Sequence, residues 1–197
     1  MGASPDIKRK PVVHVYNHTE HAHWLPAFAD LHIACIHSDA TIVAFVSPLD
    51  PNKVIQYWEE RAAEVEAGSR VTVFALSGDG KELAGFVSLN QTMTQTQPFV
   101  GSIEKLLVSP NHRRRGVARA VMEAIERIAE ERGRTVLTLH TEEGSPAELM
   151  YPRLGYLEFG RIPTFMVSPH TRELKGDVGF YKILSSHGTR WDARTKP

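Results

Sequence analysis

A single cysteine, Cys35, stands among 197 residues. An intramolecular disulfide framework is therefore excluded, and the thiol content fits a reducing compartment. No apolar run reaches about 18 residues, so no transmembrane helix and no membrane partner are expected. The first ten residues are polar and lack an apolar signal region, which points to the cytoplasm. Net charge is missing too: 23 Lys+Arg offset 23 Asp+Glu. This argues against bulk electrostatic attraction to nucleic acid or anionic lipid. Internal repeats and low-complexity segments are absent. Six histidines crowd the first part of the chain (His14, His18, His21, His23, His32 and His37), but no further cysteine and no close carboxylate set accompanies them, so no functional metal is expected. Cys35 lies in an apolar helical segment and reads as a buried small hydrophobe, with an acyl-carrying nucleophile as the alternative.

The remainder has the composition of one globular domain: 42% hydrophobic and 23% charged residues. Residues 1–11 read as a tail, 12–186 as the domain and 187–197 as a second tail. Residues 12–16 suggest a short strand. Residues 21–37 suggest a helix, with Leu25, Phe28, Leu31 and Ala34 or Cys35 at helical spacing. Asp50 can cap a second helix with Pro51 at its first position, and Gly68 ends it. The period then changes to that of strands at 71–76, 82–89 and 99–108, the first two forming a hairpin. A helix follows over 114–132, with Val117, Val121, Ile125 and Ile128 in one stripe and Glu123 and Arg127 paired outside. Residues 135–141 read as a strand, Ser145-Pro146-Ala147-Glu148 as a capping box, and 156–167 and 178–184 as the last strands. The order is that of an α/β domain with a mixed, strongly twisted sheet flanked by helices.

The segment most revealing of function joins a strand to a helix: Leu106-Leu107-Val108-Ser109-Pro110-Asn111-His112-Arg113-Arg114-Arg115-Gly116-Val117-Ala118. A helix N-terminus carries unsatisfied N–H groups and about half a positive charge, and so binds phosphates. The three arginines and the small residues at 116 and 118 let a bulky phosphate group approach that backbone. A solvated basic surface is the bland alternative. No Gly-Lys-Ser/Thr follows, which excludes a P-loop, and the first two glycines of a dinucleotide fingerprint are missing.

Arg113-x-x-Gly116-x-Ala118 resembles the cofactor loop of the GNAT superfamily of N-acetyltransferases. Ala147-x-x-x-Tyr151-x-x-Leu154-Gly155-Tyr156 is similar to a second segment of that superfamily. The likeness spans nearly the whole domain. Glu104-Lys105-Leu106-Leu107-Val108, residues 139–145, Gly160-x-Ile162-Pro163 and Phe180-Tyr181-Lys182 look like the tabtoxin-resistance type, which acetylates a small amino-acid toxin. The resemblance implies acetyl-CoA as co-substrate and no metal. Its pyrophosphate would be held by Arg113, Arg114, Arg115, Gly116, Val117 and Ala118, and its pantetheine arm by the backbone of Leu106, Leu107 and Val108, with Ser145 nearby. It also implies a carboxylate at Glu104 near the reacting amine and a tyrosine, Tyr151, near the sulfur. His140 departs from the pattern, since the resembling proteins are acidic there.

These residues suit acetyl transfer to an amine. Glu104 is expected to remove the amine proton, directly or through water, although an ordinary glutamate pKa of about 4.3 is low for a base. On simple alternation Glu104 shares a face with Leu106 and Val108. The alternative is an arginine salt bridge. His140, with an ordinary pKa of about 6.5, is expected in support, or else as a satisfied strand histidine. Tyr151 would donate to the departing thiolate, or else pack as a core aromatic. The expected acceptor is a small amine: an amino-acid-like compound, a toxin or a polyamine. A protein or histone lysine acetyltransferase and a non-catalytic acyl-CoA sensor are the competing readings. Oligomeric state is open, a homodimer included.

Overall fold

The computed structural model describes residues 10–38, 45–91, 94–169 and 171–185; most of both expected tails lies outside these. The elements run β1 (Val12–Val15), α1 (His18–His21), a 3-10 turn (Ala22–Trp24), α2 (Leu25–Ser38), α3 (Pro51–Glu66), β2 (Arg70–Leu76), β3 (Leu83–Asn90), β4 (Val100–Val108), a 3-10 turn (Pro110–His112), α4 (Val117–Glu131), β5 (Val136–Glu142), α5 (Pro146–Met150), a 3-10 turn (Tyr151–Leu154), β6 (Leu157–Val167) and β7 (Leu174–Ile183). The strands form one seven-stranded sheet in the order β1-β2-β3-β4-β5-β7-β6. Only β4 and β5 pair in parallel; the other neighbours are antiparallel.

Local chemistry accounts for most boundaries. Asp50 caps α3 by accepting from the Asn52 N–H, with Pro51 at the first position, where its missing donor costs nothing. Ser145 caps α5 through the Glu148 N–H, and Glu148 reaches back to the Gly144 N–H at 2.7 Å. The first helical region starts earlier than its apolar spacing suggests. Asn17 accepts from the Thr19 N–H and starts a turn at His18, which passes through a 3-10 turn before α2. The helix expected from residue 114 begins at Val117, because Arg114 and Gly116 both take positive φ, 59° and 83°. Nor do Glu123 and Arg127 pair: Glu123 meets Arg119 at 3.6 Å and Arg127 meets Glu131 at 3.2 Å.

Two cores cover the two faces of the sheet. On one side α4 buries Val121, Met122, Ile125 and Ala129 against Val73, Val87, Ile103 and Leu139. Truncating the fully buried Ile125 to alanine costs roughly 2–5 kcal/mol. On the other side α2 and α3 bury Phe28, Cys35, Val54 and Trp58 against Phe74, Phe86 and Leu107.

Two irregularities of β4 create space. First, β4 and β5 pair only over Val100–Ser102 and Val136–Thr138, then separate. Second, Ser88 pairs with Glu104 but Phe86 pairs with Leu107, so β4 carries one residue more than β3 across that interval. Lys105, at φ 53°, is that bulge. It breaks the simple alternation. Leu106 and Val108 pack toward α4, whereas Leu107 joins the α2–α3 core. Glu104 lies on the α2–α3 face with Arg70 and Ser88, not on the face of Leu106 and Val108.

Candidate active site

Two cavities open where β4 and β5 part. The larger is a cleft of about 470 Å³. Its walls include Leu106, Leu107 and Val108 of β4, Arg113, Arg114, Gly116, Val117 and Ala118 of the loop and α4, and Ala147 and Met150 of α5. The smaller, of about 290 Å³, is lined by Ser102, Glu104, Lys105, His140 and Tyr151 among others. Leu106, Leu107 and Ala147 belong to both walls, so the cavities meet at the bend of β4.

The loop chemistry suits a phosphate-bearing group. The first turn of α4 directs its N–H groups out of the helix end, beside Arg113 and Arg114. Arg113 donates to Ser38 Oγ at 3.1 Å, which ties the loop to α2. His112 Nε2 lies 2.8 Å from Glu82, fixing the base of the loop beside the start of β3. A Cβ built on Gly116 meets no atom within 4 Å. It would enter open cleft, where a ligand must approach the backbone. Arg119 and Arg153 also line the cleft, and sequence reading missed both. Their signal is faint, a position one helical turn after Arg115 and a basic residue beside the Tyr151 turn. Arg115 is exposed and is not among the lining residues. Ser145 is also displaced from the cleft: it is buried, caps α5 and bonds Thr141 Oγ1 at 3.1 Å. Cys35 is 2% exposed, touches the cleft wall and donates through Sγ to the Val108 carbonyl at 3.4 Å.

Each titratable group of the smaller cavity has a fixed setting. Glu104 Oε2 meets Arg70 Nη2 at 2.9 Å, and Glu104 Oε1 accepts from Asn90 Nδ2 at 3.3 Å. Arg70 is in turn held by Glu64 at 2.5 Å. His140 is half-exposed, and its Nδ1 lies 2.5 Å from Oδ2 of Asp177, which is 2% exposed. The register explains the pair. His140 stands opposite Gly179 and Glu142 opposite Asp177, so Asp177 is the diagonal neighbour of His140 on one face. A Cβ on Gly179 would collide with the Phe159 ring. The glycine thus lets Phe159 lie over β7 and meet His140 edge-on at 5.7 Å. Burial pushes the Glu142 carboxyl above its usual range, against the weaker pull of Lys175. Burial also pushes the Tyr151 phenol well up, so its hydroxyl stays protonated at any physiological pH.

The expected catalytic residues Glu104, His140 and Tyr151 therefore share one cavity, next to a cleft lined by most of the expected cofactor residues. Among the described residues no three His, Cys, Asp or Glu side chains converge as a metal site. His14 and His21 instead pack their rings on Phe74.

Comparison with known proteins places this architecture. The model of the acetyltransferase (GNAT) family matches residues 36–156, more than half of the chain. Among solved structures, yncA of Salmonella typhimurium, assigned as an acetyltransferase and determined with acetyl-CoA, aligns with a TM-score of 0.72 at 14% identity, covering 93% of this chain and 99% of that one. A protein assigned as a phosphinothricin N-acetyltransferase aligns at 0.70 and 18% identity, covering 90% and 100%. The ribosomal-protein-S18-alanine N-acetyltransferase of Escherichia coli aligns at 0.64 and 17% identity, covering 92% and 99%. At such identities the structural likeness carries the fold alone, and the family match carries the rest. The chain belongs to the GNAT family of acetyltransferases.

Proposed function

We propose that the protein is an acetyl-CoA-dependent N-acetyltransferase that acts on a small-molecule amine in the cytoplasm, without a nucleic-acid or membrane partner, as a monomer or homodimer. The observation that carries this reading is the junction of the two cavities at Leu106 and Leu107. A cleft with a basic helix-start loop meets a separate cavity holding a histidine, a carboxylate and a tyrosine. A discrete cavity of about 290 Å³ favours a small acceptor over an extended peptide. The tabtoxin-type sequence motifs support the same acceptor class.

The cleft residues fit the cofactor. Arg113, Arg114 and the α4 N–H groups would hold its phosphates, and the β4 backbone beyond Ser102, which pairs with no β5 residue, would hold its arm. Bound acetyl-CoA supplies an acetyl thioester. His140 accepts the amine proton: its Nδ1–H donates a hydrogen bond to Asp177, which leaves Nε2 as the basic nitrogen. Glu104, already bonded to Arg70 and Asn90, attracts and positions the amine as a fixed negative charge. Its engagement shifts the principal base from Glu104, the sequence expectation, to His140. Tyr151 donates its hydroxyl hydrogen to the departing sulfur.

Thiol release from acetyl-CoA with a panel of primary amines tests the activity, and no release with any amine refutes it. A pH–rate series on His140→Ala and Glu104→Gln tests the roles. The first should lower kcat by roughly 10²-fold or more, and the second should act chiefly on the acceptor KM. An active His140→Ala enzyme beside an inactive Glu104→Gln enzyme restores Glu104 as the base.

A further inference from the structure

One cation of the acceptor cavity, among the described residues, has no ion-pair contact. Lys105 lines that cavity with Glu104 and His140. It is the residue that bulges from β4, in a left-handed backbone that a non-glycine residue keeps only when its surroundings impose it. Its charged neighbours are already committed to one another. Arg61 meets Glu64 at 2.8 Å, Arg70 meets Glu64 at 2.5 Å, and Arg70 meets Glu104 at 2.9 Å. Glu60 also meets Arg61, at 3.6 Å, so two guanidiniums and three carboxylates engage one another, and Lys105, which Glu104 attracts only at longer range, sits outside those contacts. Among the described residues no hydrogen bond or ion pair reaches it. His32, a further titratable neighbour, is buried between Phe45, Tyr57 and Trp58. Burial pushes it down to about 3, so it stays neutral and offers no negative charge.

A structural lysine either reaches water with its head group or finds a carboxylate. Lys105 is partly buried, and the bulge keeps it on the cavity wall instead. The cavity's β5 side is different in character. There His140 is seated on Asp177, and Glu142 stands directly opposite Asp177 across the strands. A ligand that matches these groups sets an anion against Lys105 and its amine against Glu104 and His140.

We propose that Lys105 anchors a carboxylate of the acceptor, so that the substrate is a small zwitterion: a free amino acid, or an analogue with an acid group close to its amine. The inference rests on the N-acetyltransferase reading and narrows it. A polyamine would bring a second cation against Lys105. A lysine side chain or the N-terminus of a protein has no free carboxylate beside its amine.

The test is thiol release from acetyl-CoA with free L-amino acids, the corresponding amino-acid amides, and spermidine and putrescine. The free acids should exceed their amides in kcat/KM by roughly 10- to 100-fold, the scale of one charge-assisted contact, with the polyamines poorest. Lys105→Met keeps the stem and loses the charge, and should bring that ratio near one. Lys105→Arg keeps the charge and should keep a clear preference. The wild-type ratio decides even if the Met variant does not fold. Amides or polyamines that serve the wild type as well as the free acids overturn the proposal and leave the acetyltransferase reading standing. A folded Lys105→Met enzyme with its ratio intact does the same. No thiol release with any acceptor, despite CoA binding, overturns the acetyltransferase reading and this proposal with it.

Discussion

Replacing Gly116 separates the cost of a backbone conformation from the loss of a ligand site. Gly116 caps α4 at φ 83° and ψ 4°. An L-residue there is strained by roughly 1–2 kcal/mol, and a Cβ meets no atom within 4 Å, so no clash adds to it. In a chain of this size about 1 kcal/mol lowers Tm by roughly 2–4 °C. Gly116→Ala should therefore stay folded with Tm down by roughly 2–8 °C. Gly116→Val should lose somewhat more, because branching at Cβ disfavours this region further. In both variants the new atoms enter the cleft, where phosphate oxygens must come within about 3 Å of backbone N–H groups. Calorimetric titration with CoA should show Kd raised roughly tenfold for alanine and at least 10²-fold for valine, each tenfold step being about 1.4 kcal/mol of lost contact. Gly68 provides the control. It has φ 77°, meets nothing within 4 Å, and lies outside the cleft lining. Gly68→Ala should lose comparable stability and bind CoA as the wild type does. A Gly116→Val protein with wild-type CoA affinity, or a Gly68→Ala protein weakened to the same degree, refutes the reasoning.

Two further outcomes follow from buried groups. Tyr151→Phe should lower kcat by roughly 10-fold or more and leave the KM for acetyl-CoA nearly unchanged, because the hydroxyl acts only as the sulfur departs; steady-state kinetics showing unchanged kcat reduce Tyr151 to its packing on Tyr156 and Phe180. Lys105→Met should raise Tm at neutral pH. Burial holds the Lys105 ammonium below its usual range, so the folded state disfavours its charged form. Wild-type stability should then recover as pH rises through the folded pKa toward the unfolded value of about 10.4, and the gap to Lys105→Met should close. Melting curves at pH 7 and at alkaline pH check both, and a destabilised Met variant at pH 7 contradicts them.

The elements fixed by short-range chemistry were legible from sequence. The Asp50–Pro51 start of α3, the Ser145 cap of α5, the apolar stripe of α4 and the arginine loop all depend on neighbours within a few positions. The partners of the candidate catalytic groups were not legible. Arg70, Asn90 and Asp177 come from β2, β3 and β7, and reach Glu104 and His140 only through cross-strand register, which no local pattern announces. The Lys105 bulge was hidden for a different reason. Lysine is a poor marker of positive φ, and an extra residue leaves the strand's apolar run intact while changing which face each later residue takes. The first helical turn at His18 was missed because its signal is the Asn17 cap and not an apolar stripe.

The bulge also sets how this chain tolerates change in length. A strand writes its side chains in a two-letter rhythm, in and out, and Lys105 is a phase slip in that rhythm. Upstream, the beat seats Ile103 under α4 and turns Glu104 to the acceptor; downstream, it seats Leu107 under α2 and turns Leu106 and Val108 toward α4. Loss of this one codon would bring the run from Ser88–Glu104 to Phe86–Leu107 into unbroken antiparallel register, with Leu106, Leu107 and Val108 still on their present faces. Substitutions at 105 retune a site, whereas an in-frame deletion there leaves both cores in step and erases the bulge that shapes the cavity wall.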